Sequence, residues 1–354
     1  MRKIAVLFIA LIIILSLTAC SSNDEKTEPA VIEGCEVSLI ADSEEIAEDS
    51  FTERVWDSVS RYAAENSLGA DCFRPEKSSE KAYMAAIQSA VDRGAGLIVL
   101  PGRCFEETAY KAQKKYKDIR FLLMDGVPHN SDDKYKTTEN TISIVFAEEE
   151  AGYLAGYAAV KDGCTSAGFI GEKNTPEIKR YGYGFLQGAA AAAEETETKV
   201  SLKHEYESTS EKVGKLASEW YGSGVQVIFV CGDDIVPAVI GSAEAASGRV
   251  IGADTDKSHL SETVMTSAVK GVDAAVEDVI DGYADDKFIG GTAFNYAVKN
   301  NGIMLEMDNA RFTLFDNEQY NTVMDKLKNG KVELKKDKKV KSVSELENKW
   351  ISIE

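Results

Sequence analysis

From residue 35 onward, short continuously apolar runs alternate with longer stretches in which apolar residues recur every three or four positions. CEVSLI (35–40), LIVLPG (97–102) and FLLMDG (121–126) read as strands buried on both faces, with a further short strand at 70–73. Between them, 52–66 carries Val55, Val59 and Tyr62 on one helical stripe, and 80–93, capped by Ser78-Ser79, turns Tyr83, Ile87, Ala90 and Val91 inward. The rhythm restarts at AGFIG (167–171), followed by a helix over about 176–193, a strand near 200–204, a helix around 211–221, VQVIFVCG (225–232), a helix through Ala246, and RVIGAD (249–254). Two such blocks predict an α/β protein of two lobes, each a doubly wound parallel sheet, with a hinge cleft between them. The predicted limits are 35–145 for lobe 1, completed by about 272–300, and 146–271 for lobe 2, completed by part of 301–354. The lysine-rich stretch 326–341 reads as a solvated helix face.

The first 34 residues follow another pattern. Arg2 and Lys3 precede an apolar run from Ile4 to Leu17, and Leu17-Thr18-Ala19-Cys20 follows. The run is short for a membrane span and reads as a secretory signal over 1–19. The Leu-x-Ala-Cys ending resembles the bacterial lipobox, in which the cysteine, here Cys20, is acylated after cleavage. The expected location is the extracytoplasmic face of the cell membrane, held by lipid. Residues 20–34, opening SSNDEKTEP, are polar and aperiodic and read as a flexible tether.

Composition narrows the partners. The chain of 354 residues is 44% hydrophobic and carries a net charge of −19. Losing the leader removes two cations and no acid, taking −19 to −21. Such a surface is repelled by nucleic acid and favours a neutral or cationic small molecule. Cys35, Cys72, Cys104, Cys164 and Cys231 match no zinc spacing, and they read mostly as small apolar core residues. His129, His204 and His259 are too dispersed to suggest a metal site. No metal or cofactor is expected.

In parallel sheets ligands sit beyond the carboxyl ends of the strands. Those positions are the acidic loop after the first strand, Pro101-Gly102, Asp125-Gly126, Gly171-Glu172, Gly232-Asp233-Asp234 and Asp254-Thr255-Asp256. In the acidic loop the aromatic Phe51 follows Asp42, Glu48 and Asp49.

These segments resemble the basic membrane lipoproteins, the purine-nucleoside-binding lipoproteins of ABC importers, which have the type I periplasmic-binding-protein fold. The likeness spans about 37–305. The family's opening motif D-x-G-x-I-D-D-K-S-F-N, with a Trp following, is matched by Asp42, Ile46, Glu48, Ser50, Phe51 and Trp56. Further matches are FRPEKSSEKAYMAAIQSAVDRGAGLIVLPG, ISIVFAEEEAGYLAGYAA, PEIKRYGYGF (176–185), VIGADTD (250–256) and TSAVKGVDAAV (266–276). The resemblance implies a nucleoside held between lobes. Phe51 would stack on the base, Asp254 would accept from the ribose hydroxyls with Lys270 as its partner, and Glu48 would face the base edge. Asp42, Tyr181 as a second aromatic wall, Gly232 and Asp233 complete the candidates.

Elementary chemistry agrees with those roles. An aromatic ring stacks on a base with about 1–3 kcal/mol. A carboxylate can take both hydroxyls of a diol, and a nearby ammonium keeps it ionised. With no phosphate-binding loop or arginine cluster, a nucleoside is expected rather than a nucleotide. The departures are Glu44 for the motif's glycine, Ala47 for its first acid, Thr52 for its asparagine, and Cys231-Gly232-Asp233-Asp234 where Gly-Gly is usual. They fall at the base-recognising end and leave Asp254 and Lys270 in place.

The expected function is therefore a monomeric, non-enzymatic receptor that delivers its guest to ABC permease subunits. An extracytoplasmic nucleoside hydrolase is the enzymatic alternative, for which Asp254-Thr255-Asp256 is the only candidate cluster. A ligand sensor acting through a membrane partner is the third reading.

Overall fold

The computed structural model describes residues 34–354. The leader, the acylation candidate Cys20 and the tether up to residue 33 lie outside them. In chain order the strands are β1 (Val37–Ile40), β2 (Ala70–Phe73), β3 (Leu97–Pro101), β4 (Arg120–Met124), β5 (Thr141–Phe146), β6 (Ser166–Gly171), β7 (Val200–Tyr206), β8 (Val227–Cys231), β9 (Arg249–Asp254), β10 (Val264–Lys270), β11 (Thr292–Tyr296), β12 (Ile303–Leu305) and β13 (Ile351–Ile353). The α-helices are α1 (Phe51–Glu65), α2 (Glu80–Asp92), α3 (Glu106–Lys115), α4 (Glu148–Lys161), α5 (Pro176–Glu195), α6 (Ser210–Gly222), α7 (Val236–Ala246), α8 (Val272–Ala284) and α9 (Asn317–Lys328).

Two sheets result. The first runs β11-β5-β4-β3-β1-β2, all parallel. The second runs β12-β10-β9-β8-β6-β7-β13, parallel except for the antiparallel pair of β10 with β12. β1, β3 and β8 are buried throughout, as their unbroken apolar runs require. Helix starts follow the side chains that can satisfy free N–H groups. The hydroxyls of Ser50 and Ser79 accept from the amides of Glu53 and Ala82, and Thr175 caps α5 with Pro176 in its first turn.

The two halves repeat one another at their strand ends. β3 and β8 are each followed by a glycine in the left-handed region, Gly102 at φ 107° and Gly232 at φ 128°. Each glycine opens a short 3₁₀ turn, at Arg103–Phe105 and Asp233–Ile235. The next strand in each half, β4 or β9, leads to an aspartate with positive φ: Asp125 at 57° and Asp254 at 67°.

The chain crosses between the sheets three times: from β5 into α4, from β10 into α8, and from β11 to β12. The crossings are tied together, with the amide of Gly271 on the carbonyl of Gly302 and that of Ala147 on Tyr296, each at 2.9 Å. A Cβ on Gly271 would lie 1.9 Å from the Asn301 carbonyl, so this contact needs glycine.

The lysine-rich stretch is not a helix face. α9 stops at Lys328, and only a three-residue turn at Asp337–Lys339 interrupts the extended chain that follows. Asp337 and Lys336 reach the side chains of Arg180 and Glu149, so this segment is anchored over α4 and α5. Among the cysteines, Cys35, Cys164 and Cys231 are buried as expected, whereas Cys104 is exposed and Cys72 intermediate.

Helices α4 and α5 touch backbone to backbone. A Cβ added at Gly152 would sit 2.0 Å from the Tyr181 carbonyl, and one at Gly188 would sit 2.0 Å from that of Tyr153. This approach fixes the height of α5 and, with it, the position of Tyr181. Gly152→Ala should therefore destabilise the chain by at least the roughly 1–3 kcal/mol of an overpacked core, read as a lower urea midpoint at unchanged slope. An unchanged midpoint would mean that the two helices can part without cost.

Candidate functional site

At the carboxyl ends of β4, β5, β9 and β10 one ammonium gathers groups from both sheets. Lys270, the last residue of β10, is buried, and its Nζ lies 2.8 Å from Asp125 Oδ2 and 2.8 Å from Asp254 Oδ1. Glu148, the first residue of α4, stands 3.9 Å away and is itself paired with Arg180 at 2.8 Å. The Tyr181 hydroxyl donates to Asp254 Oδ1 at 2.8 Å. The rings of Phe51, Phe146 and Tyr181 lie 5.4, 5.6 and 5.8 Å from the same ammonium, within cation–π range. Phe51 meets Phe146 edge to face at a centroid distance of 6.4 Å.

A buried ammonium is tolerable only when carboxylates surround it. Burial alone would lower the pKa of Lys270, but Asp125, Asp254 and Glu148 outweigh it and hold the amine well above its ordinary value. Burial pulls Asp254 upward, yet Lys270 and the Tyr181 hydroxyl win and leave it below the ordinary 3.8. Tyr181 is pushed well above 10 by burial and by Asp254, which keeps it a hydrogen-bond donor. Burial raises Glu148 to about 7, against the opposing pull of Lys270 and Arg180.

Asp254 and Lys270 line a cavity of about 650 Å³ that extends along the first turns of α1 and α8. That size falls within the usual range for small-molecule sites. Phe146 and Arg180 border a second cavity of about 840 Å³. Phe51 lines neither one; it is half-buried between Phe146 and Lys270.

Of the predicted residues, Phe51, Tyr181, Asp254 and Lys270 are brought together. Asp233 stands one step away, its Oδ1 3.0 Å from Lys257, and Gly232 shapes the turn before it. Asp42 braces its own loop: its carbonyl accepts from Ser78 and Tyr83, and its carboxylate accepts from Thr52 at 3.1 Å. Glu48 is exposed and is not part of the cluster. Phe146, Glu148 and Arg180 received no role from the sequence, and Asp125 was named only among the strand-end positions. Asp125 was visible as a residue following a strand, and Phe146 and Glu148 sit in the segment ISIVFAEEE, but only the fold shows that they meet Lys270. The Asp254-Thr255-Asp256 cluster does not converge. Asp256 turns to Ser258, and Thr255 turns across to Asp49.

The raised Glu148 sets a pH dependence. A carboxyl that holds its proton more tightly when folded adds stability below pH 4.5, and that contribution is lost as pH rises toward 7. Glu148→Gln should therefore gain on the unaltered chain between pH 5 and pH 8, measured by urea midpoints at both values. Equal offsets at the two pH values would show that the carboxyl does not titrate in this window.

Comparison with known proteins fits this geometry. The model of the family described as "ABC transporter substrate-binding protein PnrA-like" matches residues 36–343. The ABC transporter nucleoside-binding protein BmpA of Lactococcus lactis subsp. cremoris is 29% identical over 340 residues, covering 89% of this chain and 94% of that protein. An ABC transporter solute-binding protein from Conexibacter woesei has a similar structure, with a TM-score of 0.70 at 18% identity over 85% of this chain and 98% of that one. One from Aeropyrum pernix K1 gives 0.68 at 19% identity over 84% and 92%. The fold is therefore that of the type I periplasmic binding proteins. The chain belongs to the PnrA-like family of ABC transporter substrate-binding proteins.

Proposed function

We propose that this substrate-binding protein is a lipid-anchored extracytoplasmic receptor that closes on a nucleoside, with a purine preferred, and presents it as a monomer to an ABC permease. The observation that carries this reading is the Lys270 cluster, where a carboxylate, an ammonium and three aromatic rings converge at the meeting of the lobes. Asp254 accepts the ribose hydroxyls, Lys270 donates to a ribose oxygen, and Phe51 offers a π-face to the base. Lys270 lies 5.4 Å from the centre of the Phe51 ring, so a base stacked there takes the place of that contact, while Phe146, of the same lobe, keeps its edge-to-face position. The printed function of the Lactococcus relative, nucleoside binding, points the same way.

Charge supports a nucleoside over a nucleotide. Asp125, Asp254, Glu149, Glu177 and Asp337 stand against Lys270, Arg180, Arg103 and Lys336, so even with Glu148 protonated the carboxylates outnumber the cations and repel phosphate. Hydrolysis is the weaker reading, since the candidate aspartates after β9 do not converge on a water-activating position. Anchoring at Cys20 rests on the Leu-x-Ala-Cys sequence, and Glu48 and Asp42 take part only if the opening loop rearranges around a guest.

A thermal-shift screen of nucleosides, bases and sugars tests the assignment. A guest at 100 times its dissociation constant adds about 2.7 kcal/mol to stability. Asp254→Ala should abolish the nucleoside shift, Phe51→Ala should cost about 1–3 kcal/mol of binding, and Asp233→Ala should only weaken it. Equal shifts in the unaltered chain and Asp254→Ala would remove the ribose role, and release of free base would replace transport with hydrolysis.

A further inference from the structure

Beside the cavity of about 650 Å³, one residue of the first lobe is gripped by a loop of the second. Asp49 follows β1 and precedes the cap of α1, with its backbone left-handed at φ 61°. Its carbonyl accepts from the Thr255 hydroxyl at 2.9 Å and from the Lys257 ammonium at 2.9 Å. Its carboxylate lies 2.6 Å from His259 Nε2. Thr255, Lys257 and His259 all belong to the loop joining β9 to β10 in the other sheet.

Both partners in this grip are held rigidly. The Asp49 amide donates to Glu53 at 2.6 Å, and Ser50 caps α1. Across the cleft, the Lys257 amide donates to the Ser267 hydroxyl at 3.0 Å, and its buried ammonium also pairs with Asp233 at 3.0 Å. Phe51 lies two residues after Asp49, and Asp254 lies one residue before Thr255. The contact therefore fixes the spacing between the stacking ring and the ribose carboxylate, and it exists only while the lobes are together.

We infer that Asp49, Thr255 and Lys257 form a clasp that sets how long the closed cleft retains its guest, with Lys257 as the principal positioning residue. The inference rests on the nucleoside reading for its guest, but the clasp itself closes the lobes whatever the guest is. An ammonium on a carbonyl is charge-assisted and stronger than a hydroxyl contact, and Lys257 is nearly inaccessible to water. Breaking the clasp should speed release while leaving capture nearly unchanged, because encounter takes place on the open form, which lacks it.

The test uses the whole mature protein and two readouts. In stopped-flow with adenosine, Lys257→Met should raise the release rate about tenfold with the capture rate within about twofold, Thr255→Val about threefold, and Lys257→Arg should restore most of the loss. In small-angle scattering without any guest, Lys257→Met should give a larger radius of gyration than the unaltered chain, and Thr255→Val a smaller increase in the same direction. Thr255→Val is nearly isosteric and guards against a folding defect in the lysine variant. Scattering that is identical in all three proteins would overturn the clasp even if adenosine binds. Absence of adenosine binding by the unaltered chain, with the scattering differences intact, would overturn the nucleoside reading and leave the clasp standing.

Discussion

The arrangement depends on one buried ammonium. Isolated, Lys270 would cost several kcal/mol to desolvate. It is stable because Asp254 of its own lobe and Asp125 of the other each lie at 2.8 Å, with Glu148 at 3.9 Å. Everything near the cleft is consistent with keeping that charge surrounded. Tyr181 donates to the same oxygen of Asp254 that Lys270 reaches, and Arg180 holds Glu148 from behind. The three rings present their faces to the ammonium. The α4–α5 contact, close enough to require glycine, sets where Tyr181 and Arg180 begin.

The repeat between the lobes explains why two aspartates share the lysine. After β4 and after β9 the chain turns through a left-handed aspartate, a conformation that Asp tolerates better than most residues. These are equivalent positions in the two halves. When the halves face each other, equivalent carboxylates approach across the cleft, and like charges that close need a cation between them. Lys270 supplies it from the end of β10, where the chain is about to cross to the other lobe. At the crossing from β5 the corresponding strand end is Phe146, whose ring faces the same ammonium, and Glu148 follows two residues later at the start of α4.

The sequence made the α/β alternation legible because continuous apolar runs and helical stripes are local signals. Val55 and Val59, or Tyr83 and Ile87, declare their faces without help from the rest of the chain. The strands β11, β12 and β13 were not legible: β11 is mostly exposed and so lacks an apolar run, and β12 and β13 are only three residues long. The lysine stretch misled because charge density says nothing of backbone shape. At the site, Asp254 and Lys270 were found through motif likeness, and the structure places them in contact. Asp125 was legible only as a strand end and Glu148 not at all, because their pairings with Lys270 span 145 and 122 residues of chain, which no local pattern encodes. Glu48 is the reverse case, a motif position that the fold leaves in solvent.

The placement of the cluster has a consequence for opening. Lys270, Asp254 and Tyr181 belong to one lobe, so their hydrogen bonds survive when the lobes part, whereas the bond to Asp125 does not. Opening therefore removes one of the two carboxylates at 2.8 Å and leaves the ammonium with Asp254 and, at 3.9 Å, Glu148. Closure brings Asp125 back to 2.8 Å from the ammonium, so the charge that Lys270 keeps buried also favours the closed arrangement.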